Sequence, residues 1–191
     1  MRAAGAQGRP RAPRNEVRII GGAWRSRRIR FPPRPEVRPT PDRVRETLFN
    51  WLGQDLTGLA CLDLFAGSGA LGFEAASRGA SRVVMVERDR TAFSALEANR
   101  TVLAAHAVEL VRADALEFMR GGRGQYDVIF LDPPYSAGYW SDLIAVLPPR
   151  MAAGAYVYCE SGARLEWPDG WEVHREGRAS QVFFQLVKRT I

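Results

Sequence analysis

The stretch Ala60-Cys61-Leu62-Asp63-Leu64-Phe65-Ala66-Gly67-Ser68-Gly69-Ala70-Leu71-Gly72 changes character part-way along. Its first six residues, ACLDLF, form a short apolar run that reads as a buried strand. The run enters Gly67-x-Gly69-x-x-Gly72, and GALGFEAASRG then reads as a helix. Glycines at that spacing let a backbone turn tightly and come close to a ligand at a helix mouth.

The same rhythm repeats downstream. Strand RVVMVE (82–87) leads into helix RTAFSALEANRTVLAA (90–105), and strand AVELVR (107–112) into helix DALEFMR. Strand YDVIFLD (126–132) precedes helix YWSDLIAVLPP; strand GAYVYCE (154–160) and two late strands near 171–175 and 181–187 follow. Alternating strands and helices, with the first strands nearly all apolar, imply an α/β fold: a parallel sheet covered on both faces. The last two strands have little between them, so an antiparallel edge pair is expected. No internal repeat and no second domain is visible.

Upstream, residues 1–15 are rich in Gly, Pro, Ala and Arg and read as a disordered basic tail. VRIIGGAWRSRRIRF reads as a hairpin of two short strands about Gly21-Gly22. PPRPEVRPTPD is extended, and PDRVRETLFNWLG is a helix. Asp42 serves as its N-cap, Val44, Leu48, Trp51 and Leu52 as its apolar stripe, and Gly53 as its stop. The organisation expected is a tail (1–15) and one domain (16–191). That domain divides into hairpin and extended segment (16–40), helix (41–53) and α/β core (58–191).

A chain of 191 residues, 46% hydrophobic and 25% charged, is long enough to bury a core without staples. Cys61 and Cys159 both sit in apolar runs, which suits buried thiols in a reducing compartment. The first residues lack the apolar region of a signal peptide, and no run approaches the ~20 apolar residues that cross a bilayer. A cytoplasmic protein with no membrane partner is expected. Charge is unevenly placed. Residues 1–45 hold thirteen arginines against three acids, so they carry +10 of a net +6, and the remainder is mildly acidic. A basic end of that kind is an electrostatic footprint for nucleic acid.

On spacing alone the glycine loop fits either a nicotinamide dinucleotide or S-adenosylmethionine. Glu87, twenty residues after Gly67 and ending the next strand, can hold ribose hydroxyls in both cases. Two features favour S-adenosylmethionine. Asp63, inside the first strand, suits a cationic group better than a pyrophosphate. No acid/base or hydride-transfer constellation accompanies the loop either, since the only histidines, His106 and His174, fall at a helix end and in an edge strand. Asp114, just past the third strand and beside Ala115, is both a natural N-cap and an acceptor suited to an adenine amine.

The fourth strand ends in Asp132-Pro133-Pro134-Tyr135. Proline cannot donate to a ladder, so the strand stops there on a stiff elbow. An exocyclic base amine is a poor nucleophile because its lone pair is delocalised into the ring. A carboxylate and a proline-fixed carbonyl can hold its two N–H groups and draw the lone pair out of the ring plane. Rigid acceptors reorganise little at the moment of transfer. Tyr135 can stack on the base, which must be out of its helix. We read Asp132, Pro133, Pro134 and Tyr135 as the catalytic element.

DLFAGSGALG, VERD, RADA and LDPPY, in this order, resemble the class I S-adenosylmethionine-dependent methyltransferases, the last motif being shared by their amino-methylating branch. That resemblance implies a Rossmann-like, mostly parallel seven-stranded sheet with helices on both faces, an antiparallel C-terminal pair and here an added N-terminal hairpin. It implies a cofactor lying along Asp63, Phe65, Ala66, Gly67, Ser68, Gly69 and Leu71, then Glu87 and Arg88, then Asp114 and Ala115. RIIGGAWRSRRIRFP followed by RPTPDRVRETLFNWL is similar to the RsmD-type 16S rRNA guanine-N2 methyltransferases, and the likeness runs from about Val17 to Val187. The family implies methylation of one guanine 2-amine in 16S rRNA, within the small subunit or an assembly intermediate; a monomer with no metal site is expected. It brings Arg38, Thr40 and Arg43 over the cofactor. Arg43 also joins Arg18, Arg25, Arg27, Arg28 and Arg30 as rRNA-binding residues. Pro41 stands where many related sequences carry a second threonine. A DNA adenine-N6 or cytosine-N4 methyltransferase shares the elbow, and a non-enzymatic ribosome assembly factor would share the basic end.

Overall fold

The computed structural model describes residues 15–33, 40–122, 124–134 and 138–190, so Arg38, Tyr135 and the tail of residues 1–14 lie outside the described residues. A hairpin of β1 (Asn15–Arg18) and β2 (Arg28–Phe31) leads to α1 (Asp42–Trp51). The core then runs β3 (Ala60–Asp63), α2 (Ala70–Ser77), β4 (Arg82–Val86), α3 (Arg90–Leu103), β5 (Val108–Val111), α4 (Ala115–Gly121) and β6 (Tyr126–Leu131). It closes with α5 (Tyr139–Val146), β7 (Met151–Ser161), β8 (Trp171–Ala179) and β9 (Val182–Arg189). Seven strands form one sheet in the order β5-β4-β3-β6-β7-β9-β8. β3 to β7 are mutually parallel, and β9 runs against both its neighbours, β7 and β8. This is the Rossmann-like class I architecture the motifs imply. The last two strands form the antiparallel edge pair expected, with β9 against β7 and β8 outermost.

The apolar strands alternate between two buried faces, as a period of two requires. Cys61, Val83, Met85, Val128, Phe130 and Tyr158 pack with α1, α2, α3 and the hairpin. Leu62, Val84, Val86, Ile129, Leu131 and Val157 pack with α4 and α5. Both cysteines are free and buried. Gly72 permits the close approach of α2 to β4, because a Cβ there would lie 2.7 Å from Met85 Sδ.

The hairpin forms, but not about a two-residue turn. Its strands are joined by residues 19–27, which include a 3-10 turn at Gly22–Trp24. The reason is α2. Glu74 accepts hydrogen bonds from the amides of Ile20 (2.8 Å) and Gly21 (2.7 Å), and a Cβ on Gly22 would run into the Ser77 carbonyl. Those glycines serve close contact with a helix, not a tight reversal. α1 also differs at its start. Pro41 is the N-cap and Asp42 the first helical residue, its carboxylate taken by Arg45 (2.6 Å) and Arg18 (3.1 Å) rather than by backbone amides. The stop is as expected. Gly53, at φ +92°, donates to Asn50 O and Gln54 donates to Phe49 O, the paired bonds of a Schellman end.

Candidate active site

The strand order reverses beside β3. β4 and β5 continue to one side with α2 and α3 on one face, and β6 and β7 to the other side with α4 and α5 on the opposite face. Open α/β sheets bind ligands in the crevice such a reversal opens at the carboxyl ends of the strands. Every parallel strand here delivers an acid to that edge: Asp63 closes β3, and Glu87, Asp114 and Asp132 follow β4, β5 and β6. Glu160 lies at the end of β7.

The glycine loop is built by backbone bonds to these acids. Glu87 accepts from the amide of Gly67 (2.9 Å) with one oxygen and from that of Asp89 (2.7 Å) with the other. Asp63 accepts from the amide of Gly72 at 2.9 Å. Gly69 sits at φ +81° as the cap of α2, and a Cβ there would lie 2.7 Å from both Leu96 and Phe73. Only glycine satisfies both the conformation and the contact. Asp114 caps α4, one oxygen accepting from Leu116 and Glu117, with Ala115 buried behind it. Phe65 meets Tyr139 edge-on at 6.0 Å, Ala66 and Ser68 are buried in the loop, and Arg88 is exposed. Leu71 points into the core.

The electrostatics favour a cation. Burial pushes the Asp63 carboxyl up to about 7, with the charges of Glu87 and Glu160 adding to it against the opposing backbone bonds. Burial also raises Asp132 well above the carboxylate range, followed by the charges of Glu160 and Asp63. Glu160 is raised by burial as well, against the hydrogen bonds of Thr40 and Tyr158. Carboxyls that resist ionisation together ionise more readily beside a positively charged ligand, and gain nothing of the kind from a pyrophosphate. Asp63, Glu87, Gly67 and Gly69 therefore fit the amino-acid and ribose ends of S-adenosylmethionine better than a dinucleotide.

At the elbow Asp132 is partly exposed, Pro133 buried and Pro134 exposed. A cavity of about 340 Å3 opens beside it, lined by Pro133, Pro134, Tyr139, Trp140, Glu160 and Leu165 among others. Thr40 is brought to this end of the sheet, where its hydroxyl donates to Glu160 at 2.7 Å. The structure thus joins Thr40 to β7. Arg43 is exposed.

The family described as conserved hypothetical protein 95 matches residues 17–188. The Ribosomal RNA small subunit methyltransferase D of Escherichia coli K12 is 40% identical over 179 residues, 91% of this chain and 90% of its own. Its counterpart of the same name in Haemophilus influenzae is 38% identical over 183 residues, 92% and 95% of the two chains. The solved structure of yhhF from Escherichia coli superposes with TM-score 0.83 at 41% identity, covering 92% of this chain and 98% of that one. The chain belongs to the RsmD methyltransferase family.

In this RsmD-family chain the hairpin shows one apolar and one basic face. Val17, Ile19 and Ile29 are buried against the domain, while Arg18, Arg25, Arg27, Arg28 and Arg30 are exposed. Several of these guanidinia have internal partners. Arg28 and Arg30 flank Glu16 at 3.4 and 3.0 Å, and Arg27 donates to Val102 O at the end of α3. The His174 ring packs at a tilt against Tyr156 (5.3 Å between centroids), and among the described residues no cluster of metal-ligating side chains occurs.

Three residues escaped the sequence reading. Arg45 is wholly buried and bonds Thr40 O, Arg18 O, Asp42 and Glu74. Glu74 is wholly buried between Arg45 and Arg78. A lone acid in the otherwise uncharged ALGFEAAS was the available signal. Glu160 was equally signalled, as an acid ending the apolar run AYVYC.

Proposed function

We propose that the protein transfers a methyl group from S-adenosylmethionine to the exocyclic N2 amine of a guanine in 16S rRNA of the small ribosomal subunit. The observation that carries this reading is the position of Asp132-Pro133. They emerge from β6 at the switch-point crevice, next to β3, the strand that leads into the Gly67–Gly69 loop, and beside a cavity. The names of the two bacterial relatives, small subunit rRNA methyltransferases, support the substrate.

S-adenosylmethionine supplies an electrophilic methyl on a sulfonium. The chain supplies everything else. The glycine loop and Glu87 hold the ribose end, Asp63 faces the charged amino-acid end, and Asp114 offers an acceptor to the adenine amine. The Asp132 carboxylate and the Pro133 carbonyl accept the two N–H groups of the target amine and turn its lone pair outward. The elbow cannot swing, because Pro133 has a fixed φ and is buried. Asp132, whose carboxyl is raised by burial and by Glu160, is suited to take up the proton that the methylated amine releases. The exposed hairpin arginines bind phosphates and supply affinity without reading sequence.

The test is incubation with labelled S-adenosylmethionine and small subunits that lack the modification, followed by mapping of the labelled base. Label on N2 of one 16S guanine is the expected result. Label on DNA or on another base overturns the assignment.

A further inference from the structure

Asp132 and Glu160 end adjacent parallel strands in register. Leu131 pairs with Cys159, and Phe130 with Tyr158, so the two acids are the next residues of the same ladder. The Glu160 charge is the foremost Coulombic influence on Asp132, which fits that closeness. Glu160 is 5% exposed and lines the cavity beside Pro133 and Pro134. Its two oxygens are used unequally. Oε1 accepts from Thr40 Oγ1 (2.7 Å) and from Tyr158 OH (3.0 Å), whereas Oε2 accepts from no described residue.

We propose that Glu160 is the specificity-determining residue for guanine: its Oε2 accepts the N1–H of the target base while Asp132 and Pro133 hold the neighbouring N2 amine. This rests on the reading of the site given above. The chemistry of the bases makes the choice. In guanine the exocyclic amine stands beside a ring N–H, so the edge presents donors side by side. In adenine and cytosine the amine stands beside an unprotonated ring nitrogen, an acceptor. Two acceptor groups side by side, Asp132 and Glu160, match the guanine edge. Against adenine or cytosine, Glu160 would face another lone pair with both groups desolvated. A purely structural anchor for Thr40 and Tyr158 needs only one neutral acceptor oxygen, which a glutamine supplies at the same length. The second oxygen is what the base explains.

The experiment replaces the target guanine by 2-aminopurine, which keeps the amine at C2 but has an acceptor at N1. Methyl transfer to guanine and to 2-aminopurine substrates is compared for the wild-type protein, Glu160→Gln and Glu160→Asp. The wild-type protein is expected to favour guanine by about ten- to a hundredfold, the scale of a hydrogen bond to a charged group. Glu160→Gln keeps an acceptor for Thr40 and Tyr158 and turns an amide donor toward N1. Its guanine:2-aminopurine ratio should fall at least about tenfold below the wild-type ratio, and comparing the two proteins cancels any difference in intrinsic amine reactivity. Glu160→Asp, with its carboxylate drawn back, should lose activity on guanine chiefly.

Equal loss on both bases in Glu160→Gln marks a structural role and overturns the inference. So does a wild-type protein that does not discriminate, a result that needs no variant to fold. Mapping the methylated atom in the guanine arm separates two failures. Absence of methyl from N2 sinks the functional reading and this inference with it. Methyl on N2 with an unchanged ratio sinks this inference alone.

Discussion

Thr40 Oγ1 lies 2.7 Å from Glu160 Oε1, joining residues 120 positions apart. The bond fastens the segment that enters α1 to the end of β7. It is one link in a longer run. Arg45 Nε donates to the Thr40 carbonyl, and the Arg45 guanidinium reaches Glu74 and the Arg18 carbonyl. Glu74 in turn holds the amides of Ile20 and Gly21. A continuous buried network therefore ties the exposed basic hairpin to the carboxyl edge of the sheet.

The network should be indispensable to the fold. Among the described residues, Arg45→Met leaves Glu74 with Arg78 as its only cationic partner, inside a site that water does not reach. Removing one partner from a buried ion pair destabilises by about 3–5 kcal/mol. Urea denaturation should show that loss, and Arg78→Met should show a comparable one. A loss under ~1 kcal/mol for Arg45→Met would mean that the hairpin docks by apolar packing alone.

Asp132→Ala removes one acceptor for the amine and leaves the glycine loop intact. Methyl transfer should fall by at least about a hundredfold, the scale seen when one preorganised polar group is removed. S-adenosylmethionine affinity, measured by calorimetry, should change little. An active Asp132→Ala protein would remove the elbow from the mechanism.

The raised carboxyls make a pH prediction. Asp63 titrates near about 7 in the folded protein, against ~3.9 for an unfolded aspartate. The folded state thus binds more protons in that window, and its contribution to stability is complete below about pH 4 and is lost as pH rises through about 7. Asp132 and Glu160, also raised, act in the same direction. The cofactor-free protein should melt at lower temperature at about pH 8 than at about pH 5, and Asp63→Asn should flatten the trend. A cation favours the ionised form, so S-adenosylmethionine affinity should rise across the same window in the wild-type protein and less in Asp63→Asn.

Replacing Arg25, Arg27 and Arg28 by Ala should weaken rRNA binding and reduce its salt dependence. Each lost phosphate contact lowers the log–log salt slope by roughly 0.7–0.9. Among the described residues Arg25 has no internal partner, while Arg27 holds the end of α3 and Arg28 shares Glu16. Arg25→Ala alone should therefore carry much of the slope change, and Arg27→Ala should also lower the melting temperature. Filter binding at several salt concentrations reads the slope directly.

Much of this was legible in the sequence because it is local. The periods of two and 3.6 mark β3 to β7 and their helices, the glycines mark the loop, and prolines after an apolar run mark the elbow. Asp63, Glu87, Asp114 and Asp132 are found because each follows a strand, and parallel strands all deliver their ends to one edge. Gly53 marks a helix stop in the sequence and forms one, since its bonds lie within six residues. What escaped is non-local. Gly21-Gly22 suggested a tight turn, yet they are small to admit α2. Asp42 suggested an N-cap, yet Arg45 and Arg18 claim its carboxylate. Arg45 and Glu74 carry no local signal of burial, because a sequence does not say which charges will be buried against each other.

The sequence by itself determined the sheet, the glycine loop and the acid–proline elbow, because propensity and periodicity act between near neighbours. Only the tertiary structure decided that Thr40, Arg45, Glu74 and Glu160 form one network behind the site. A buried charge is tolerable only where its partners converge, and that convergence exists only once the chain has folded.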